Sequence, residues 1–282
     1  MDVIELCHKD ILGLLPDRDA CAHKGSFGRI LLLCGSCGYT GAAALAAIGA
    51  LRAGAGLVYL GVPKSIYQIE AIKLLEPIVF SLPETDGKFS LEATEALGNM
   101  IFTMDAILIG PGMGISEGTF AVTKWILQNA MCPVIVDADG INVLCKHKDI
   151  LRGRTSSTIL TPHTGEFNRL LGTKCTERIQ TTVELAKDLG SIVVHKGYRT
   201  VISDGQRVYI NPTGNPGMAV GGSGDVLAGV ITALVGQGMC PLDAAACGVW
   251  LHGAAGDICA QEIGQYGMLP SDILSVLPRL LK

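Results

Sequence analysis

Charge and aromatic side chains are both scarce in this sequence: 17% of residues are charged and 5% are aromatic. The formal net charge is -4, so the chain lacks the basic excess that a nucleic-acid footprint requires. It also lacks an uncharged run that reads as a membrane span. The Ala-rich stretch from Gly41 to Leu51 is too short and is followed by Arg52. No secretory leader is read at the start, where Met1-Asp2 leads into a mixed polar stretch with no basic opening. The ten cysteines are therefore read as free thiols, and the expected compartment is the cytoplasm. Cys34 and Cys37 form a lone C-x-x-C. No second pair and no histidine pair at metal spacing completes it, so no metal-ligating residues are nominated.

Two nucleotide-binding signatures are missing as well. Without a G-x-x-x-x-G-K-[ST] the chain is not a P-loop enzyme. The first βα turn, GSCGYTGAA (35–43), departs from G-x-G-x-x-G, and GVPK rather than an acidic residue follows the second strand. Both departures argue against a Rossmann dehydrogenase.

Apolar side chains and glycine are abundant. Hydrophobic residues make up 49% of the chain, which suits a buried parallel sheet whose strands read as unbroken apolar runs. Strands are expected at 29–34, 57–61, 78–82, 105–109, 133–136, 159–161 and 191–195. A hairpin is expected at 200–212, turning at Asp204-Gly205-Gln206. Helical spacing is read at 41–53, 64–75, 90–102, 115–128, 176–189, 226–236, 243–262 and 271–281. Residues 1–28 are a lead-in that docks on the body through Leu6, Ile11, Leu12, Leu14 and Leu15. The repeated strand, glycine-rich turn and helix predict one domain over 1–282, a three-layer α/β/α sandwich with a mainly parallel central sheet. Ligands of such sheets sit beyond the carboxyl ends of the strands.

The stretch NPGMAVGGSGDVLAGVITALVGQG (215–238) organises the rest. Gly221, Gly222 and Gly224 allow positive φ and close approach of a ligand. The first amides of the following helix lack intrahelical acceptors and form an anion hole. Asp225 on that first turn would repel a phosphate, yet it suits a general base beside a phosphoryl group in transfer. A capped core helix is the plainer reading of the same residues.

Other strand ends carry chemical side chains. Asp137 and Asp139 offer a contact to a hydroxyl or to water-bound Mg²⁺; helix capping is preferred for Asp139. His163 follows Thr161-Pro162 at a strand end, with Thr164 as a helix cap and Glu166 supporting the helix start. Lys196 and Gly197 bring a mobile cation and room for a phosphate; Arg199 adds charge or is simply solvated. His195 and His252 are read as structural. Asn211, Asn215 and Gly217 lie in a loop expected to act as a mobile lid. An anion hole, an adjacent carboxylate and a Lys-Gly turn together indicate phosphoryl transfer.

The motifs GSCGYTGAAALAA (35–47), GPGMG (110–114), DADGIN (137–142), LTPHTGEFNRL (160–170), KGYRT (196–200) and NPTGNPGMAVGGSGDVLAG (211–229) resemble the ADP/ATP-dependent NAD(P)H-hydrate dehydratase family, which has a ribokinase-like fold. The resemblance covers nearly the whole chain. It implies a repair lyase that phosphorylates the ring hydroxyl of hydrated NADH or NADPH (NADHX, NADPHX) and eliminates phosphate, restoring the dinucleotide. Bacterial members typically use ADP and release AMP; eukaryotic ones typically use ATP. On this resemblance Lys196, Gly197, Tyr198, Arg199, Thr200 and Gly224 contact the nucleotide. Ala42, Gly112, His163 and Asp225 contact the hydrate, and Asp225 activates its hydroxyl. The amides of Gly222, Ser223 and Gly224 stabilise the transferred phosphoryl group. Mg²⁺ bridges the phosphates, and the family tends to form homotetramers. The chain leaves no room for the epimerase domain that many bacterial members carry, so a stand-alone form acting on the S epimer is expected.

Two rivals remain. A vitamin-precursor kinase of the same fold would share GGSGD and differ at the acceptor pocket, where LTPHTGEF and GPGMG favour the dehydratase. A non-catalytic nucleotide-binding protein would have no need of Asp225.

Overall fold

The computed structural model describes residues 3–281. Its strands are β1 (Val3–Glu5), β2 (Arg29–Leu33), β3 (Leu57–Pro63), β4 (Ile78–Leu82), β5 (Glu84–Thr85), β6 (Lys88–Phe89), β7 (Ala106–Ile109), β8 (Val134–Val136), β9 (Thr158–Leu160), β10 (Ile192–His195), β11 (Val201–Ser203) and β12 (Val208–Ile210). Its α-helices are α1 (His8–Leu14), α2 (Thr40–Arg52), α3 (Lys64–Lys73), α4 (Ala93–Leu97), α5 (Glu117–Asn129), α6 (Ala138–Leu144), α7 (Asp149–Arg152), α8 (Thr164–Leu171), α9 (Arg178–Leu189), α10 (Ser223–Gly236), α11 (Pro241–Glu262) and α12 (Pro270–Val276).

Ten strands form one sheet in the order β1-β12-β11-β10-β9-β8-β7-β2-β3-β4. Only β11 runs against the others, pairing antiparallel with both β10 and β12. Strand β2 shows why the sheet is apolar throughout. Successive strand side chains point to opposite faces, so Ile30 and Leu32 enter the core on the α2, α10 and α11 side while Leu31 and Leu33 enter the core on the α5, α6 and α8 side. With helices on both faces most strand positions are apolar, and the expected three-layer sandwich follows.

Helix α10 is the central helix of the first layer, buried along nearly its whole length. It meets α2 backbone to backbone. A Cβ on Gly229 would fall 2.1 Å from the Ala46 carbonyl oxygen, and one on Gly49 would fall 2.8 Å from that of Val226. The small residues of 41–53 are therefore a packing requirement of the α2–α10 contact.

Several expectations are corrected. The lead-in supplies an edge strand: β1 pairs in parallel with Val208–Ile210. Leu6 and Ile11 dock as expected, whereas Leu12 stays exposed. The helix expected over 90–102 is α-helical only over α4, because Gly98 turns the backbone (φ 44°) into a 3-10 stretch. The short β5–β6 hairpin, turning at Asp86-Gly87, was not foreseen. The closing helix is α over 270–276 and 3-10 over 277–280. No helix among the described residues is long and apolar enough to cross a membrane.

Candidate active site

Four adjacent strands end level with one another. Leu33 pairs with Ile109, Ile109 with Val136, and Val136 with Leu160. The loops that leave this row carry GSCGYTG, GPGMG, Asp137-Ala138-Asp139 and Thr161-Pro162-His163. An isolated bridge between His163 and Lys196 adds the KGYRT turn. The start of α10 faces the same edge, since a Cβ on Gly224 would lie 3.2 Å from Lys196 Nζ and 4.0 Å from Asp137 Oδ2. These turns thus gather at one edge of the sheet, beside the start of α10.

At the start of α10, Gly222 caps the helix in the left-handed region (φ 98°), which accounts for glycine there. Of the amides expected to line the hole, that of Ser223 donates to the Val220 carbonyl at 3.3 Å. Among the described residues those of Gly222, Gly224 and Asp225 have no acceptor in the protein. The Asp225 carboxylate is pushed up to about 7, first by burial and then by the charge of Asp137; Lys196 pulls against this. A carboxylate near 7 is poised to take a proton at neutral pH.

Asp137 is buried and held from two sides. Lys196 Nζ lies 2.7 Å from its Oδ1, and Thr161 Oγ1 donates to the same oxygen at 2.6 Å. Burial alone would lower the Lys196 pKa, yet Asp137 and Glu166 outweigh it and hold the ammonium above its usual value. The mobile cation of the sequence reading is therefore an anchored one. Asp139 does not cap a helix. Its Oδ2 accepts the Gly114 amide at 2.8 Å and its Oδ1 the Asn142 amide at 3.3 Å, tying the GPGMG turn to α6. Asp137 occupies the N-cap position, and Ala138 behind it has φ 48°, a strained backbone of the kind that gathers at functional sites.

His163, rather than Thr164, is the N-cap of α8. Its Nδ1 accepts the Gly165 amide at 2.9 Å, so the neutral ring carries its proton on Nε2, 3.3 Å from Glu166 Oε1. Glu166 completes a capping box by accepting the His163 amide. Burial pushes the Glu166 carboxyl up despite Lys196 nearby. Ala42 and Gly112 come together: a Cβ on Gly112 would stand 2.7 Å from the Ala42 methyl.

In KGYRT, Gly197 (φ 146°) leaves space for Arg178, which donates to the carbonyls of His195 and Tyr198. Thr200 Oγ1 closes the turn on the Gly197 carbonyl at 2.9 Å. Tyr198 is exposed, and Arg199 pairs with Glu5 of the lead-in strand. His195 is structural as read: buried, stacked 3.9 Å from the Phe167 ring centroid, and lowered to about 4 by burial. Cys34 is buried and Cys37 exposed, and both are free, so the C-x-x-C forms no disulfide.

The expected lid at 211–217 is fastened down. Asp257 of α11 accepts the Gly214 amide and the Asn215 side-chain amide, both at 2.9 Å. Thr213 occupies the space left by Gly253, and Met218 that left by Gly256. One turn earlier on α11, His252 Nε2 lies 3.4 Å from Ser223 Oγ, and burial lowers its pKa to about 4, keeping it neutral. Sequence reasoning missed Thr161, Arg178, His252 and Asp257 as neighbours of the site. The pairing of two polar residues, His252 and Asp257, with the small residues between them in an apolar helix was the available signal.

Comparison with known proteins identifies the family. The NAD(P)H-hydrate dehydratase family pattern matches residues 30–279. A bifunctional NAD(P)H-hydrate repair enzyme of Moorella thermoacetica is 46% identical over 275 residues, 95% of this chain and 52% of its own. The chain spans about half the length of such bifunctional relatives. The ADP-dependent (S)-NAD(P)H-hydrate dehydratase of Bacillus subtilis is 35% identical over 288 residues, 100% of this chain and 99% of its own. The solved structure of an ADP/ATP-dependent NAD(P)H-hydrate dehydratase from B. subtilis, co-crystallised with ATP and Mg²⁺, superposes with a TM-score of 0.84 at 32% identity over 99% of this chain and 98% of that one. The layered architecture is ribokinase-like, and the chain belongs to the NAD(P)H-hydrate dehydratase family.

Proposed function

We propose that this chain dehydrates the S epimer of hydrated NADH or NADPH, using ADP and releasing AMP and phosphate. The observation that carries the reading is Asp225: a carboxylate near 7, with no hydrogen-bond donor among the described residues, beside amides that have no acceptor. The hydrate hydroxyl gives its proton to Asp225 as its oxygen takes the terminal phosphoryl group of the nucleotide. The amides of Gly222, Gly224 and Asp225 hold the phosphoryl oxygens as charge moves onto them. Phosphate then leaves with the electrons of the C–O bond, a proton on the neighbouring ring carbon passes to solvent, and its C–H electrons restore the double bond of the ring. Ala42, Gly112 and His163 shape the hydrate side; Lys196 to Thr200, with Gly224, shape the nucleotide side.

Mg²⁺ fits this site as an ion carried by phosphate. Asp137 and Asp139 are already engaged by Lys196, Thr161, Gly114 and Asn142, and no group of three or more His, Cys, Asp or Glu among the described residues has metal-ligand geometry. Mg²⁺ commonly keeps its waters and binds through phosphate oxygens, which suits such a surround. Bound there, it would neutralise charge on the phosphates. ADP is preferred as donor because the B. subtilis relative is an ADP-dependent dehydratase.

Residues 1–282 are read as one catalytic domain, working in the cytoplasm. A homotetramer is supported by the apolar side chains Ile69, Ile72, Leu75 and Ile78, which stand exposed on and after α3. The test is absorbance at 340 nm with NADH hydrate, Mg²⁺ and either ADP or ATP. A nucleotide-dependent rise supports the repair reaction and names the donor. No rise in protein that binds nucleotide would sink it in favour of a small-molecule kinase.

A further inference from the structure

The hydrate side of the cleft lacks a countercharge. The residues placed there are Ala42, Gly112, His163 and Asp225, and none is a fixed cation. Yet a dinucleotide hydrate brings a diphosphate bridge with two negative charges. The nucleotide co-substrate has its own anion hole, and Lys196 is already held by Asp137 at 2.7 Å. Lys73 is likewise taken by Glu70 and Thr40.

One cation borders the Gly110–Gly114 turn directly and a second is linked to it through α6. Lys88 lies across it from the β5–β6 hairpin: its Cε would be 2.8 Å from a Cβ on Gly114, and its Nζ donates to the Ile115 carbonyl at 3.4 Å. The hairpin is pinned at two points. The Cys37 amide donates to the Gly87 carbonyl at 2.9 Å, and Glu84 accepts from the Ser65 amide and hydroxyl at 2.8 and 2.7 Å. Arg169 reaches the same turn through a relay. Its Nε donates to Asn142 Oδ1 at 3.0 Å, Asn142 donates to Asp139, and Asp139 accepts the Gly114 amide. Its Nη1 would be 3.8 Å from a Cβ on Gly165, beside His163. Among the described residues neither side chain is in a salt bridge. Each is positioned through neutral oxygens, which leaves its positive charge for something else.

We propose that Lys88 and Arg169, gathered around the Gly110–Gly114 turn, bind the diphosphate bridge of the dinucleotide hydrate. The proposal rests on the dehydratase reading. It assigns the two residues to substrate specificity: they distinguish a dinucleotide from a bare nicotinamide riboside and take no part in the proton or phosphoryl steps.

The experiment compares two substrates, NADH hydrate and the hydrate of reduced nicotinamide riboside, which keeps the reacting ring and has no phosphate. Lys88→Met and Arg169→Met should each raise KM for NADH hydrate about tenfold, as for loss of a charge-assisted phosphate contact. KM for ADP should stay within about twofold, and so should KM for the riboside hydrate. Arg169→Lys should recover part of the loss. In the unaltered protein, KM for NADH hydrate should rise with salt more steeply than KM for the riboside hydrate. Equal losses on the two substrates, an unchanged KM for NADH hydrate, or parallel salt profiles would overturn the assignment. Failure of the unaltered protein to convert NADH hydrate would overturn the reading of function and this proposal with it.

Discussion

Lys196 Nζ sits 2.7 Å from Asp137 Oδ1, and this pair sets the charge around Asp225 from opposite directions: Asp137 raises the Asp225 pKa and Lys196 lowers it. The limb of the pH–rate profile that reports the base should therefore move either way on demand. Lys196→Met should carry it upward from about 7, and Asp137→Asn should carry it downward. Profiles of kcat/KM between pH 5 and 9 for both variants check this. Two shifts of the same sign would contradict the electrostatic arrangement.

Asp225→Asn should keep nucleotide affinity and lose turnover by a factor of ~10² to 10⁴, as for a lost general base. It should also alter stability. The folded Asp225 pKa, about 7, lies above the 3.8 of a free aspartate, so between those values the native state holds a proton that the unfolded chain has released. Stability from this group is complete below about 4 and falls as pH rises through 7. Asn carries no such penalty, so the variant should be more stable than the parent at pH 8, by about 1–3 kcal/mol in urea unfolding. Equal stability at pH 8 would refute the burial cost.

Gly224→Val should fold and fail to bind nucleotide. A Cβ there would stand 3.2 Å from Lys196 Nζ and 4.0 Å from Asp137 Oδ2, so only the end of the lysine side chain must yield, by a few tenths of an ångström, and no backbone is struck. The extra methyls would fill the phosphate position instead. Calorimetry showing parental ADP affinity would remove Gly224 from the anion hole.

Asp257→Ala should release the Gly214–Met218 loop. Two hydrogen bonds are lost and the Gly214 amide is left without its acceptor, costing about 1–3 kcal/mol. KM for the nucleotide should rise and limited proteolysis should begin within 213–220. An unchanged cleavage pattern would show that the packing of Thr213 and Met218 suffices.

The sheet was legible because both its faces are covered: runs such as Ile30–Leu33 have no polar position to confuse the reading. The glycine-bearing strand ends were legible for a related reason, since positive φ at Gly110, Gly112 and Gly222 leaves little choice of residue. What escaped was long-range partnership. Lys196 is 59 residues from Asp137, and Asn215 is 42 from Asp257. No local spacing encodes either pair, so Lys196 read as mobile and the Asn215 loop as a lid. Asp139 was misread because its partner, Gly114, lies 25 residues upstream and offers a backbone amide rather than a side chain. Strand β1 escaped because an exposed edge strand of three residues has no apolar pattern to show.

The backbone contact between α2 and α10 has a mechanical consequence. On the proposed reading, the amino end of α2 would present Ala42 to the hydrate, and that of α10 would present Asp225 and the free amides. With Gly229 against Ala46 and Gly49 against Val226, neither helix can slide or tilt without a collision of main chains. The two helices thus act as a single stiff strut. If the proposed reaction runs between their amino ends, the span the phosphoryl group crosses is set when the protein folds.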